Sequence, residues 1–267
     1  MIGIVFDKKD EASYNVASYL IEKFEFEERQ GNIYKSKENK DIVIVESDVE
    51  LINAEFVDSF GFSTVYFLSK HESNAGVGAF TTHATGNWRP SADLGGKPKQ
   101  LSYAAPLEML GVLREESKIN MGISATYEAT HHGPLLKTPS LFVELGGNKK
   151  TTQNKELAML LGDALWQAIM QKDVEFEKVV IGIGSNHYPQ KFTALAIEKG
   201  LAFSHIFPKY AFYNPDNSNN TDMLGQAVER SKIRPEMAVI EKHSFNALER
   251  EEIIKRLNDI GIGYEMV

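Results

Sequence analysis

The sequence predicts an α/β protein in which a mixed, mostly parallel sheet is flanked by helices on both faces. Two patterns carry this expectation. Short apolar runs recur along the chain, each closed by a polar residue, and segments with apolar side chains at helical spacing stand between them. The length of 267 residues gives room for one large core. Ile2–Phe6 reads as a strand ending at Asp7, and Ala12, Val16, Tyr19, Leu20 and Phe24 then fall on one helical face. Residues 41–46 and 65–68 are further apolar runs of the kind buried on both faces of a sheet. Strands are also expected over 121–127, 140–145, 178–183, 202–206 and 237–240, and helices over 103–116, 154–170 and 245–260. Pro106 falls in the first turn of its helix, where the missing N–H does no harm. Residues 73–100, rich in Gly, Ser and Thr with Pro90 and Pro98, read as a long surface excursion, and 214–221 as a second polar loop. With no repeat and no domain linker, residues 1–267 are expected to form one compact catalytic domain, at most two closely packed lobes.

Composition narrows the function. The chain carries 29 Lys and Arg against 37 Asp and Glu, a net charge of −8, so a basic coat over the whole surface is excluded while local basic patches are not. With no cysteine, disulfides, thiolate metal sites and cysteine nucleophiles are all excluded, and a transition metal would have to be held by His, Asp and Glu. The N-terminal stretch turns charged after Phe6, too early for a signal sequence, and no run approaches the roughly 20 apolar residues of a membrane span. A soluble, cytoplasmic protein is expected, monomeric rather than oligomeric and with no membrane contact.

Five of the seven histidines, His71, His83, His131, His132 and His187, stand where an expected strand ends or a glycine-rich loop begins. In open α/β sheets ligands bind outside the carboxyl ends of strands, so such residues can meet there. The densest cluster is YEATHHGP (127–134). If the strand continued through it, alternation would place Glu128, Thr130 and His132 on one face and His131 on the other, until Gly133-Pro134 breaks it and aims both rings into a cleft. Neutral imidazoles suit Zn²⁺, and a nearby carboxylate can ligate, orient a ring or act as general base. Glu144 lies within an apolar strand, where an acid is costly unless paired or metal-bound. His71-Glu72 opens like H-E-x-x-H, but Ala75 stands where the second histidine is needed. GIGSNH (182–187) lacks the third glycine of a dinucleotide fingerprint, and neither a P-loop nor G-x-S-x-G occurs. Lys70 reads equally as a substrate anchor and as a solvated lysine. Basic loops at 96–99, 148–152 and 230–234, including Lys149 and Lys150, would clamp phosphates only if they line the cleft.

Six segments together resemble the archaeal and plant type of D-aminoacyl-tRNA deacylase. They are SKHES (69–73), THATGNW (82–88), YEATHHGP (127–134), FVELGG (142–147), GIGSNHY (182–188) and FSHIFPKYA (203–211), in the family's order. The resemblance implies hydrolysis of the ester joining a D-amino acid to the 3′ end of tRNA, a phosphorylase- or peptidyl-tRNA hydrolase-like α/β fold, and zinc dependence. The expected mechanism is metal-assisted: Zn²⁺ held among His83, His132, Glu144 and His187 would activate water, and Glu128 or His131 would move the proton. Lys70, His71, Asn87, Lys149 and Lys150 are the candidate substrate contacts. Three alternatives stand beside this. They are a zinc peptidase or amidohydrolase on small substrates, a non-catalytic RNA-binding protein, and a metal-free deacylase assisted by the 2′-hydroxyl of tRNA.

Overall fold

The computed structural model describes residues 1–29, 31–72, 76–171 and 173–267. Ala75 and the opening of the 73–100 segment lie outside the described residues. Fourteen strands and seven α-helices are assigned among the described residues. In chain order the first are β1 Ile2–Phe6, α1 Glu11–Lys23, β2 Phe26–Glu28, β3 Ile33–Ser36, β4 Ile42–Glu46, β5 Thr64–Glu72 and β6 Ala79–His83. There follow β7 Gly86–Asn87, β8 Gln100–Leu101, α2 Pro106–Glu116, β9 Ser124–Tyr127, β10 Ser140–Gly147, α3 Lys149–Thr152 and α4 Lys155–Met170. The last are β11 Lys178–Ile183, α5 Gln190–Lys199, β12 Leu201–Phe207, α6 Leu224–Glu229, β13 Met237–Ile240, α7 Ala247–Ile260 and β14 Gly263–Met266.

The expected architecture is present, divided between two main sheets. The larger has the order β2-β3-β4-β1-β5-β10-β6-β9 and the smaller β12-β11-β13-β14, with β7 and β8 forming a separate ribbon. The core of the large sheet, β4-β1-β5-β10, is parallel; antiparallel pairing is confined to β2-β3, β3-β4 and β10-β6. The small sheet is parallel throughout. Alternation sorts the faces of the large sheet: Ile4, Leu68, Leu141, Val143 and Phe80 join α1, α2 and α4 in the main apolar cluster. Val5, Val65, Phe67 and Phe142 face the opposite way, onto the short 3₁₀ segments Leu51–Asn53 and Glu55–Phe60. The main cluster also takes in Val179, Phe203 and Val239 of the small sheet, so the two sheets share a core.

Local chemistry explains the helix starts. Asp10 accepts from Ala12 N and Ser13 N, and Asn154 from Glu156 N and Leu157 N. Asn246 and Glu249 form a reciprocal capping box on α7, which Gly261 ends at φ +79°. The expected helices therefore begin at Pro106, Lys155 and Ala247, one to three residues inside the ranges read from periodicity alone.

The 73–100 reading needs correction. Residues 79–83 form a strand buried at every position, held between β10 and β9. Its small and hydroxylated residues, Ala79, Thr81 and Thr82, mimic loop composition, yet the backbone pairs on both sides and Thr82 Oγ1 donates to Phe142 O at 2.8 Å. Helix α5 was not foreseen either; its buried face is only Phe192, Thr193 and Ala196.

Candidate metal and catalytic centre

Sheet register builds half of the site. Residues opposite one another across a ladder share a face. On the face away from α1, α2 and α4, one row is Phe67, Phe142 and His83, the next Ser69, Glu144 and Thr81, and the next His71, Gly146 and Ala79. His83, Glu144 and His71 therefore stand on adjacent rungs. Gly146 makes this possible, since a Cβ there would lie 3.1 Å from both Cβ and Cδ2 of His71.

The other half comes from the segment after β9, which bridges the two sheets. Glu128 N donates to Thr82 O (3.1 Å), Ala129 N to His187 O (2.8 Å) and Thr130 N to Ile206 O (3.1 Å). Trp88 Nε1 donates to Thr130 O at 2.9 Å. Because β9 ends at Tyr127, strand alternation does not extend to 128–132, and the expected separation of Glu128 from His131 is corrected: Glu128 Oε2 lies 3.5 Å from His131 Nε2. His132 adopts φ +42°, a left-handed conformation rarely taken by non-glycine residues and often found at functional sites.

The convergence is tight and buried. Glu128 is 1% exposed, with His71 Nδ1 3.1 Å from Oε1 and His187 Nε2 2.9 Å from Oε2. Glu144 Oε2 lies 3.5 Å from His71 Nδ1 and 3.7 Å from His83 Nε2, and it accepts from Thr81 Oγ1 at 3.3 Å. The rings of His83, His131 and His132 lie with centroids 4.3–4.9 Å apart.

Hydrogen bonds orient these rings in one sense. A carbonyl only accepts, so Nδ1–H is the donor in His83 to Ala84 O (3.1 Å), His131 to Ala129 O (2.8 Å) and His132 to Gly133 O (2.6 Å). Each Nε2 is left with its lone pair turned away from the backbone, the tautomer a metal requires. Burial, together with the neighbouring His83, His132 and His187, pulls His131 well below the usual imidazole range. Burial and His83 pull His132 down to about 4. Burial also opposes the charged forms of His71 and His83, but Glu144, with Glu128, outweighs it and raises both. Burial would push the Glu144 carboxyl up, yet His71 and His83 hold it far below the carboxylate range.

Three residue trios bring one donor atom each within 4.8 Å of one another: His83, His131 and His132; His71, Glu128 and His187; and His83, Glu128 and Glu144. His83 Nε2 and both Glu128 oxygens are buried without an aligned hydrogen-bond partner among the described residues. Lone pairs that face one another in a buried space repel unless a cation or proton lies between them. The residues present therefore fit a divalent metal with nitrogen and oxygen ligands.

The cluster floors a cavity of about 740 Å³ at the carboxyl ends of β1, β5 and β10. His71, His131, His132, Glu144, His187 and Lys70 line it. Lys70 N donates to Asp10 Oδ2 at 2.8 Å. Asn87 does not line it; its Nδ2 donates to Gly95 O at 2.8 Å and so holds the loop that does. Lys149 and Lys150 lie exposed on α3, just beyond the end of β10. In the other basic loops Lys99 pairs with Asp222, Lys232 with Glu108, and Arg230 Nη1 donates to Leu101 O. Sequence reasoning missed the tyrosines that touch the histidines. The Tyr188 hydroxyl bonds His71 Nε2, and the Tyr210 hydroxyl lies 3.5 Å from His187 Nδ1. Both lie in segments that carry the family resemblance, GIGSNHY and FSHIFPKYA, but residue type and spacing alone gave neither tyrosine a role.

Fold and site define an α/β protein with a buried histidine and carboxylate centre whose donors could hold a metal ion. A family model for D-aminoacyl-tRNA deacylase matches residues 59–265, and the chain belongs to that family. A D-aminoacyl-tRNA deacylase of Pyrococcus furiosus is 32% identical over 274 residues, covering 98% of each chain. One of Pyrococcus horikoshii is 37% identical over 224 residues, covering 78% of this chain and 80% of the relative. A solved crystal structure of a conserved protein of unknown function superposes on all of this chain and 95% of its own, with a TM-score of 0.88 and 28% identity. No helix of the described residues is long and apolar enough to cross a membrane.

Proposed function

We propose that this D-aminoacyl-tRNA deacylase cleaves its substrate with a zinc-activated water, and that Glu128 is the group that moves the proton. The observation that carries this is the meeting of the His83, His131 and His132 nitrogens, with His83 also within reach of Glu144, beside a carboxylate, Glu128, whose two buried oxygens have no aligned donor. Family membership makes the enzyme a hydrolase. Its reaction adds water across the ester, giving a free D-amino acid and the tRNA hydroxyl.

His83, His132 and Glu144, with His131 beside them, would hold the metal. When bound, zinc supplies a Lewis acid and lowers the pKa of water it carries to near 7. Glu128 lies within proton-transfer reach of the His71 and His187 rings, so it takes a proton from the attacking water and returns it through an imidazole to the departing tRNA oxygen. The Tyr188 hydroxyl holds His71 in this arrangement. Lys70 stands at the cavity wall, where substrate passes. Lys149 and Lys150, exposed beyond β10, supply positive charge for the tRNA backbone on a chain that is acidic overall. Residues 1–267 act as one catalytic domain, because the segment carrying Glu128 hydrogen-bonds to both sheets. With charged tRNA as substrate, the place of action is the cytoplasm.

The test is release of tyrosine from D-Tyr-tRNA and L-Tyr-tRNA, each with and without chelation and zinc add-back. Release of the D form alone, lost on chelation and restored by zinc, is expected. Full activity in chelator would refute the metal and favour assistance by the 2′-hydroxyl. No release from either substrate would refute the deacylase reading itself.

A further inference from the structure

We propose that Leu94, backed by Leu51 and Ile52, is the wall that receives the side chain of the D-amino acid; this rests on the deacylase reading above. Leu94 is 60% exposed, yet it lines the same cavity as His131, His132 and Glu144. Leu51 and Ile52 line the cavity beside it, and the remainder is mostly charged or polar. The cavity thus has an aliphatic side and a polar floor.

The backbone holds this leucine in place although its side chain packs little. Gly133 N donates to Leu94 O at 2.9 Å, and Asn87 Nδ2 donates to the next carbonyl, Gly95 O, at 2.8 Å. Gly95 has φ +78°, and a Cβ there would stand 1.9 Å from Ile52 O. A Cβ on Gly133 would stand 2.3 Å from both Gly96 N and Ile52 O. Three backbone segments therefore meet where only glycine fits, and each has a direct chemical neighbour in the site: Ile52, Leu94 and His132. An exposed leucine held this firmly, one residue from a metal-site histidine, is placed for a ligand rather than for the core.

Position and chemistry select the occupant. The loop that carries the wall is hydrogen-bonded to Gly133, next to His132, so the wall stands beside the centre rather than far out along the tRNA. It offers aliphatic surface, whereas a terminal adenine is best held by an aromatic face. The exposed ring of Tyr210 belongs to the His187 side. Phe142 also lines the cavity but is 1% exposed and faced by the rings of His83 and His132. The wall consequently discriminates among D-amino acids by the size of their apolar surface.

The experiment compares kcat/KM for one tRNA charged with D-tyrosine or with D-alanine, in the wild type, Leu94→Ala and Leu94→Met, with zinc content measured on each. Leu94→Ala is expected to lower the D-tyrosyl to D-alanyl ratio about tenfold, and Leu94→Met to restore the wild-type ratio, with zinc content unchanged in both. An equal fall for both substrates would overturn the proposal and assign Leu94 to the adenine or to the loop fold. A ratio unmoved in both variants would overturn it as well. A wild type that releases neither amino acid would instead refute the deacylase reading, which is a distinguishable failure.

Discussion

Replacing Glu128 by glutamine separates proton transfer from metal binding, because the amide keeps the shape of the carboxylate and removes its basicity. The oxygens lie 2.9 Å from His187 Nε2, 3.1 Å from His71 Nδ1 and 3.5 Å from His131 Nε2. Two of these distances fall within the reach of direct proton transfer, and loss of such a group costs about 10²- to 10⁴-fold in rate. A group that only supports the ligands would instead shift metal affinity by about 10- to 100-fold. The assay is single-turnover release of D-tyrosine from charged tRNA across a zinc titration. Glu128→Gln is expected to show both effects: a higher half-saturating zinc concentration, and a plateau at least about 10²-fold below wild type that no zinc concentration repairs. Melting of the chelated protein supplies the structural control. Both oxygens lack aligned donors, and an unsatisfied buried polar group costs about 1–3 kcal/mol. Glutamine removes a buried charge but keeps a buried polar amide and gives up the attraction to His71 and His83, so the opposing effects should leave the metal-free Tm close to wild type, at about 2–4 °C per kcal/mol for a chain of this size. A plateau within threefold of wild type at saturating zinc would sink the assignment of Glu128 as base. A Tm lower by more than about 8 °C would show that the carboxylate holds the fold together.

Two further outcomes test the surrounding structure. Gly146→Ala puts a Cβ 3.1 Å from the His71 ring and 3.3 Å from Ala79 O, so the ring must shift by a few tenths of an ångström. Since displacements of about 1 Å in catalytic geometry cost about 10²-fold, a loss of roughly tenfold in kcat is expected with the fold intact; unchanged kcat would show that the position of His71 is not critical. His205, which lies outside the centre, tests the electrostatics. Burial pulls it down to about 4, against the opposing effect of the hydrogen bond that Nε2–H donates to Arg230 O at 2.9 Å; the Thr130 hydroxyl lies 3.2 Å from Nδ1. The folded state then binds fewer protons than the unfolded state, in which the ordinary value of about 6.5 applies. Its stabilisation is complete above about pH 6.5 and is lost as pH falls toward 4, about 3 kcal/mol over that window. A ring-proton NMR titration of the chelated protein with a His205 midpoint near 6.5 would contradict this.

Much of the fold was legible because strands β1, β4, β5, β10, β11, β12 and β13 are short apolar runs whose burial is written in their own residues. Helices α1, α2, α4 and α7 were equally legible, each with an apolar face at regular spacing. Strand β6 was not, since Ala79, Thr81 and Thr82 carry little apolar surface and its burial comes from its two neighbours. Among the site residues, His83, His131, His132, Glu144 and His187 were marked by their positions at strand ends and by the cost of an acid in an apolar run. His71 was marked as a substrate contact, and the register that brings it beside Glu144 was invisible, because pairing β5 with β10 joins residues 75 positions apart.

The sequence by itself determined the elements, the candidate donors and the exclusion of thiolate chemistry, all of which depend on residue identity and on spacing over a few neighbours. Tertiary structure alone decided which donors meet. The end of β9 at Tyr127 turns Glu128 toward His131, the rungs of β5, β10 and β6 align His71, Glu144 and His83, and Asn87 is drawn to a loop carbonyl instead of the cavity. Periodicity is a property of a segment, whereas convergence is a property of strand order and register, and these are set by contacts between segments far apart in the chain.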